Sequence, residues 1–214
     1  MASSRTTRDL SARGRRGRTR WRRFAIAVVP SLAAVVAIVV LTAEGAIAAS
    51  FSISGTQFEV SADSLNGTGF QQFATIDATV NNKPIPVAES EISSAKLTNL
   101  CQSVIAAFPF GLGDYTLKIR AGNNGTPASA DSLIIDANQL SGSTATFTNI
   151  NIGQDASTLN QVSGVPVGQA GTFGQQADSV SITDLQQTAY STSAGTFTLP
   201  GFSLSLSAGD SPCF

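Results

Sequence analysis

Phe202-Ser203-Leu204-Ser205-Leu206-Ser207 is the stretch that decides the fold of this chain. Side chains alternate between faces along a β-strand, so three apolar residues separated by serines give one dry face and one wet face. The same period of two runs through Phe51-Ser52-Ile53-Ser54, Gln57-Phe58-Glu59-Val60, Tyr115-Thr116-Leu117-Lys118-Ile119-Arg120 and Val180-Ser181-Ile182-Thr183. Turn-formers separate these runs, among them Asn66-Gly67, Asn81-Asn82-Lys83-Pro84, Gly111-Leu112-Gly113-Asp114, Gly122-Asn123-Asn124-Gly125 and Ser163-Gly164-Val165-Pro166. The predicted fold is all-β: one antiparallel or mixed β domain over residues 50–214, built as a jelly-roll, a groove-forming sheet or an irregular β-solenoid. Weak helical patterns occur only over 97–108 and 155–162.

A short motif recurs on this background. Val60-Ser61-Ala62-Asp63-Ser64-Leu65, Ala95-Lys96-Leu97-Thr98-Asn99-Leu100, Ile135-Asp136-Ala137-Asn138-Gln139-Leu140 and Val180-Ser181-Ile182-Thr183-Asp184-Leu185 share two inward apolar residues, a turn-former and a returning leucine. The spacing is uneven, which argues against a solenoid of fixed period. The motif reads as a strand that bends and re-enters the core.

The N-terminal part is of another kind. Nine arginines lie between Arg5 and Arg23, and an uncharged apolar stretch then runs from Phe24 to Ala43. A basic region (1–23), an apolar segment (24–49) and small residues at Ala46, Ala48 and Ala49 are the parts of a secretory signal with its cleavage site. The apolar core Phe24–Leu41 is also long enough to remain as an N-terminal transmembrane helix with the arginines in the cytoplasm. Cleavage is the favoured reading. On either reading residues 50–214 are exported to the extracellular side or the cell envelope, and an uncleaved segment makes the membrane a partner.

The exported part is acidic. From Ala49 onward its cations are Lys83, Lys96, Lys118 and Arg120 against twelve acids, a net charge of −8 that the whole-chain value of −1 conceals. That charge argues against nucleic acid as a partner. Eleven phenylalanines with many Val, Ile and Leu argue against disorder. Two cysteines, Cys101 and Cys213, form one disulfide by default in an exported protein, tying the C-terminus to the middle of the chain.

Chemistry is scarce. The chain has no histidine, which removes Ser-His-Asp and Cys-His catalysis, and it has no Gly-x-Ser-x-Gly elbow and no phosphate-binding loop. Two cysteines without histidine make no zinc site, and the Asn/Asp-rich turn Asn149–Asp155 lacks a twelve-residue calcium loop. No cofactor is implied. Paired carboxylates remain open, since Glu89 and Glu91 point the same way on a strand and Asp131 lies near Asp136 in sequence. A Ser-Lys pair would need Lys96 beside Ser93 or Ser94.

The runs Arg20-Trp21-Arg22-Arg23-Phe24, Ala48-Ala49-Ser50-Phe51-Ser52-Ile53-Ser54-Gly55, Val60–Phe70 and Leu97-Thr98-Asn99-Leu100-Cys101-Gln102-Ser103 resemble a family of exported, Streptomyces-type actinobacterial proteins of unknown function. Some of its members are labelled cholesterol esterase. The resemblance covers most of the chain and implies a cell-envelope setting. A serine esterase needs a histidine base that this sequence lacks, so the activity is not carried over. The function expected is a secreted or envelope-associated β protein with a structural or binding role and no catalysis. The alternative is a lipid carrier whose apolar ligand face takes in Phe58, Phe70, Phe73, Phe108 and Phe110, with a lipid or envelope component as partner. A histidine-independent hydrolase is the third reading.

Overall fold

The computed structural model describes residues 54–107 and 113–214. Residues 1–49, with the expected cleavage site at Ala46, Ala48 and Ala49, lie outside the described residues, as do Phe108 and Phe110. What is described is one sheet of ten strands: β1 (Phe58–Ala78), β2 (Pro84–Thr98), β3 (Leu100–Ala107), β4 (Asp114–Ala121), β5 (Ala128–Ser141), β6 (Thr144–Thr148), β7 (Asn151–Asp155), β8 (Phe173–Ser193), β9 (Thr196–Thr198) and β10 (Ser203–Ala208). Every pairing is antiparallel. The all-β expectation holds. The two helical patterns do not: residues 100–107 are strand β3, and a single 3-10 turn spans Ala156–Thr158.

The sheet closes on itself. β1 pairs with both β2 and β8, β2 pairs with β5, and β5 pairs with β8. A circuit of cross-strand partners runs from Phe58 to Ala189, Ala137, Ala88 and back to Ala74 on β1, sixteen residues further along. Such a stagger makes the strands wrap steeply around the enclosed core, and the four alanines on this circuit let the backbones approach.

The recurring motif supplies one bend to each ring strand. Val60, Ala62 and Leu65 on β1 are all buried, as are Ala95, Leu97 and Leu100 on β2–β3 and Val180, Ile182 and Leu185 on β8. Three inward residues at spacings of two and then three require a break in the alternation. Asn99 and Asp184, at φ 52° and φ 50°, make that break, and both fall opposite Asp63. In β5 the register shifts between Ala137 and Gln139 instead, and Leu140, expected to return to the core, is 41% exposed. These bends curve the strands into the ring, and they are not stacked solenoid units.

Beyond the ring, β3, β4 and β10 extend the sheet as a wing. The C-terminal tail crosses one face of it, held by the Cys101–Cys213 disulfide, by Cys213 N–H donating to Ser103 Oγ at 2.9 Å, and by Lys118 Nζ donating to the Pro212 carbonyl at 3.0 Å. On the outside of the ring, the segment 156–172 covers β1 and β8 and buries Phe73 against Ala156 and Leu159. Gln71 and Gln176 hold it, accepting from Val162 N–H at 3.1 Å and Asn160 N–H at 2.9 Å.

Candidate functional site

The interior of the ring contains space. A cavity of about 80 Å³ is lined mainly by apolar side chains, including Leu65, Phe70, Ile135, Val180 and Leu140, beside the β5 register shift. A second, of about 20 Å³, lies against Val60, Leu97, Leu133 and Phe197. The two share a wall of Leu65, Ile135 and Gln187. Gln102, Thr192 and Phe197 in turn line both the second cavity and an open cleft of about 360 Å³ that includes Phe58 and Tyr190.

Polar side chains also line this space: Gln72 and Ser90, bonded to each other at 2.7 Å, with Asn138, Gln139, Gln102, Gln187 and Thr192. Gln187 alternates with Leu185 and Ala189 along β8, which places it on the inward face; it is 4% exposed, and its amide has no hydrogen-bond partner among the described residues. Thr192 is the cross-strand partner of Ile135, and its buried hydroxyl has no partner either. An unsatisfied buried hydroxyl such as that of Thr192 costs roughly 1–3 kcal/mol, and sequences keep few such groups without a use.

A second cluster sits on the outer face of the ring. Phe73, Glu89, Asp136 and Ser191 form one cross-strand row, and Gln71 pairs with Glu91 in the next. Glu91 is fully buried and Asp136 is 8% exposed. Burial pushes Glu89 up to about 8, helped by the charges of Asp136 and Glu91. Burial also raises Glu91 to about 7, against hydrogen bonds from Gln71 and Glu89 that lower it. Asp136 rises to about 6 through burial and the charge of Asp77, and burial raises Asp77 too. One oxygen each of Asp77, Glu91 and Asp136 is buried without a partner. Two carboxyls sharing a proton are the raw material of acid–base chemistry, yet the three cavities above touch none of these acids.

The residues singled out in the sequence are now placed. Phe70 belongs to the main core and lines the first cavity, Phe58 packs against that core at the open cleft, and Phe73 lies in the separate outer cluster. The phenylalanines described therefore do not form one face. Cys101 and Cys213 are bonded. Asp131 is exposed and set apart from Asp136, and no hydrogen bond joins Lys96 to Ser93 or Ser94. In the Asn149–Asp155 turn, Asn149 donates to Asp178 at 2.6 Å, while Asp155 accepts from Ser157 N–H at 3.0 Å and Gly171 N–H at 2.8 Å. Among the described residues no three His, Cys, Asp or Glu side chains are placed to hold a metal ion. Sequence reasoning missed Gln187 and Thr192, although a glutamine at an inward strand position was a readable signal.

A model for a family of unknown function, DUF6230, matches residues 54–214. The chain belongs to that family. The DUF6230 match begins where the described structure begins and ends at the last residue, so it takes in the ring, the wing and both cysteines. No curated protein and no solved structure matches the chain.

Proposed function

We propose that this DUF6230 chain is an exported, cell-envelope-associated binding domain without catalysis, and that it carries an apolar ligand inside its closed sheet. The observation that carries the reading is the chain of interior spaces meeting at Leu65, Ile135 and Gln187 and continuing past Thr192 to the open cleft at Phe58. Apolar walls with a few inward polar groups are the usual make-up of small-molecule sites. The basic and apolar leader supports export, and the disulfide suits an oxidising compartment. The resemblance to Streptomyces-type proteins supports an actinobacterial envelope setting. Against hydrolysis stands the position of the carboxylates, of which Glu91 is fully buried.

Native mass spectrometry on protein purified from its exporting host tests this. The expected result is a discrete lipid-sized adduct that survives gentle desolvation and leaves on activation, on a chain cut near Ala48. A chain that is consistently bare, from cells rich in envelope lipid, would leave only the structural role.

A further inference from the structure

We infer that the polar group of the interior ligand is uncharged, a carbonyl, amide or hydroxyl on a slender apolar chain, and that Gln187 and Thr192 recognise it. This rests on the binding reading above and narrows it to a chemical class. Gln187 stands in the wall between the two interior cavities, its neighbours on the inward face being Leu185 and Ala189. Its amide offers one acceptor and two donors at the boundary of the two cavities. The Thr192 hydroxyl adds another donor and acceptor to the second cavity. A ligand chain reaching from the open cleft past Phe197 would pass Thr192 first and Gln187 second, before its tail enters the space beside Phe70.

The charge of that ligand follows from what is missing around it. No Lys or Arg is among the residues lining the three spaces. Burying an ionised carboxylate or phosphate without a cation costs far more than neutral hydrogen bonds return. A fatty-acid anion or a phosphate ester is therefore rejected at depth, whereas a neutral group exchanges water for Gln187 and Thr192 at little loss. The volumes of about 80 and 20 Å³ restrict the buried part to a short, unbranched chain.

The test uses the purified disulfide-bonded protein, stripped of bound material, with octanamide and octanoate as probes at pH 8, where octanoate is ionised. Methyl NMR should show saturable shifts at Ile135, Val180 and Ile182 with octanamide, and octanoate should bind at least about tenfold more weakly, about 1.4 kcal/mol. Gln187→Leu should weaken octanamide by a similar factor, because it removes the amide and keeps an apolar group of similar size at the cavity wall. Thr192→Val serves the same purpose if the Gln187 variant fails to fold. Octanoate binding as tightly as octanamide would overturn the inference and leave the binding reading standing. So would unchanged octanamide affinity in a folded Gln187→Leu variant. No response from the interior methyls to either probe would overturn both.

Discussion

The side-chain amide of Gln71 donates to a carboxylate oxygen of Glu91, its direct cross-strand partner, while the Gln71 carbonyl accepts from Val162 N–H at 3.1 Å. One glutamine thus ties the covering segment to a fully buried acid. Glu89, two residues along, is hydrogen-bonded to Glu91, and both titrate well above the usual carboxylate range. The folded state therefore holds protons that the unfolded chain has already released. By linkage, stability is greatest below about pH 4.5 as far as this cluster is concerned, and it falls as pH rises through 6 toward 8. Thermal melts between pH 5 and pH 8 should show the midpoint dropping across that window, and Glu89→Gln should flatten the slope. A midpoint independent of pH over the same range would mean that the cluster is already ionised in the fold.

Much of this architecture is written in the period of two, but closure is not. The alternation along β1, β8 and β10 announced strands, and the motif at Val60, Ala95, Ile135 and Val180 announced bends. That the bends align around one ring depends on pairings between residues more than a hundred positions apart, such as Phe58 with Ala189. No local pattern encodes such a register. The acids show the same division. Glu89 and Glu91 could be seen to share a face, but Asp136 joins them only because β2 and β5 pair in one particular register, and Asp131, five residues away, is left in solvent.

The left-handed bends are held from across the sheet. Asn99, at φ 52°, donates its amide to Asp63, and Asn149, also at φ 52°, donates to Asp178 at 2.6 Å. Asparagine tolerates this conformation, and a β-branched residue does not. Asn99→Val should cost about 1–3 kcal/mol, whereas Asn99→Gly should cost less, keeping the backbone and losing only the bond to Asp63. Chemical denaturation of the pair separates conformational strain from the hydrogen bond. Equal losses would show that the bond alone matters.

The disulfide should act chiefly on stability. It joins residues 112 apart in sequence and holds a tail that otherwise rests on a few bonds, among them Cys213 N–H to Ser103 and Ser211 N–H to Thr116. Closing a loop of that length is worth roughly 4–5 kcal/mol in the chain-entropy model. Cys213→Ser should lower the unfolding free energy by about that amount and expose the wing face beneath the tail to proteolysis after Arg120. An unchanged denaturation midpoint would mean that the tail is held without the bond.

The exposed end of the sheet carries the last prediction. β10 pairs with β4 on one side, and among the described residues nothing pairs with its other edge. Leu204 and Leu206 are 55% and 58% exposed on it, and the strand bears no charge. Natural edges are defended by lysine, proline, a bulge or a covering segment, and an uncharged alternating edge is a template for another strand. Its cross-strand neighbours Ile119 and Leu117 continue the apolar rows, whereas Lys118 and Arg120 stand in register with the intervening serines on the opposite face. Leu204→Lys should therefore change monomer stability by no more than about 0.5 kcal/mol, because little area is lost from the core. It should nevertheless suppress any concentration-dependent association seen in sedimentation velocity. Loss of stability by several kcal/mol in that variant would show instead that Leu204 is packed, and that the edge is covered by residues outside 54–107 and 113–214.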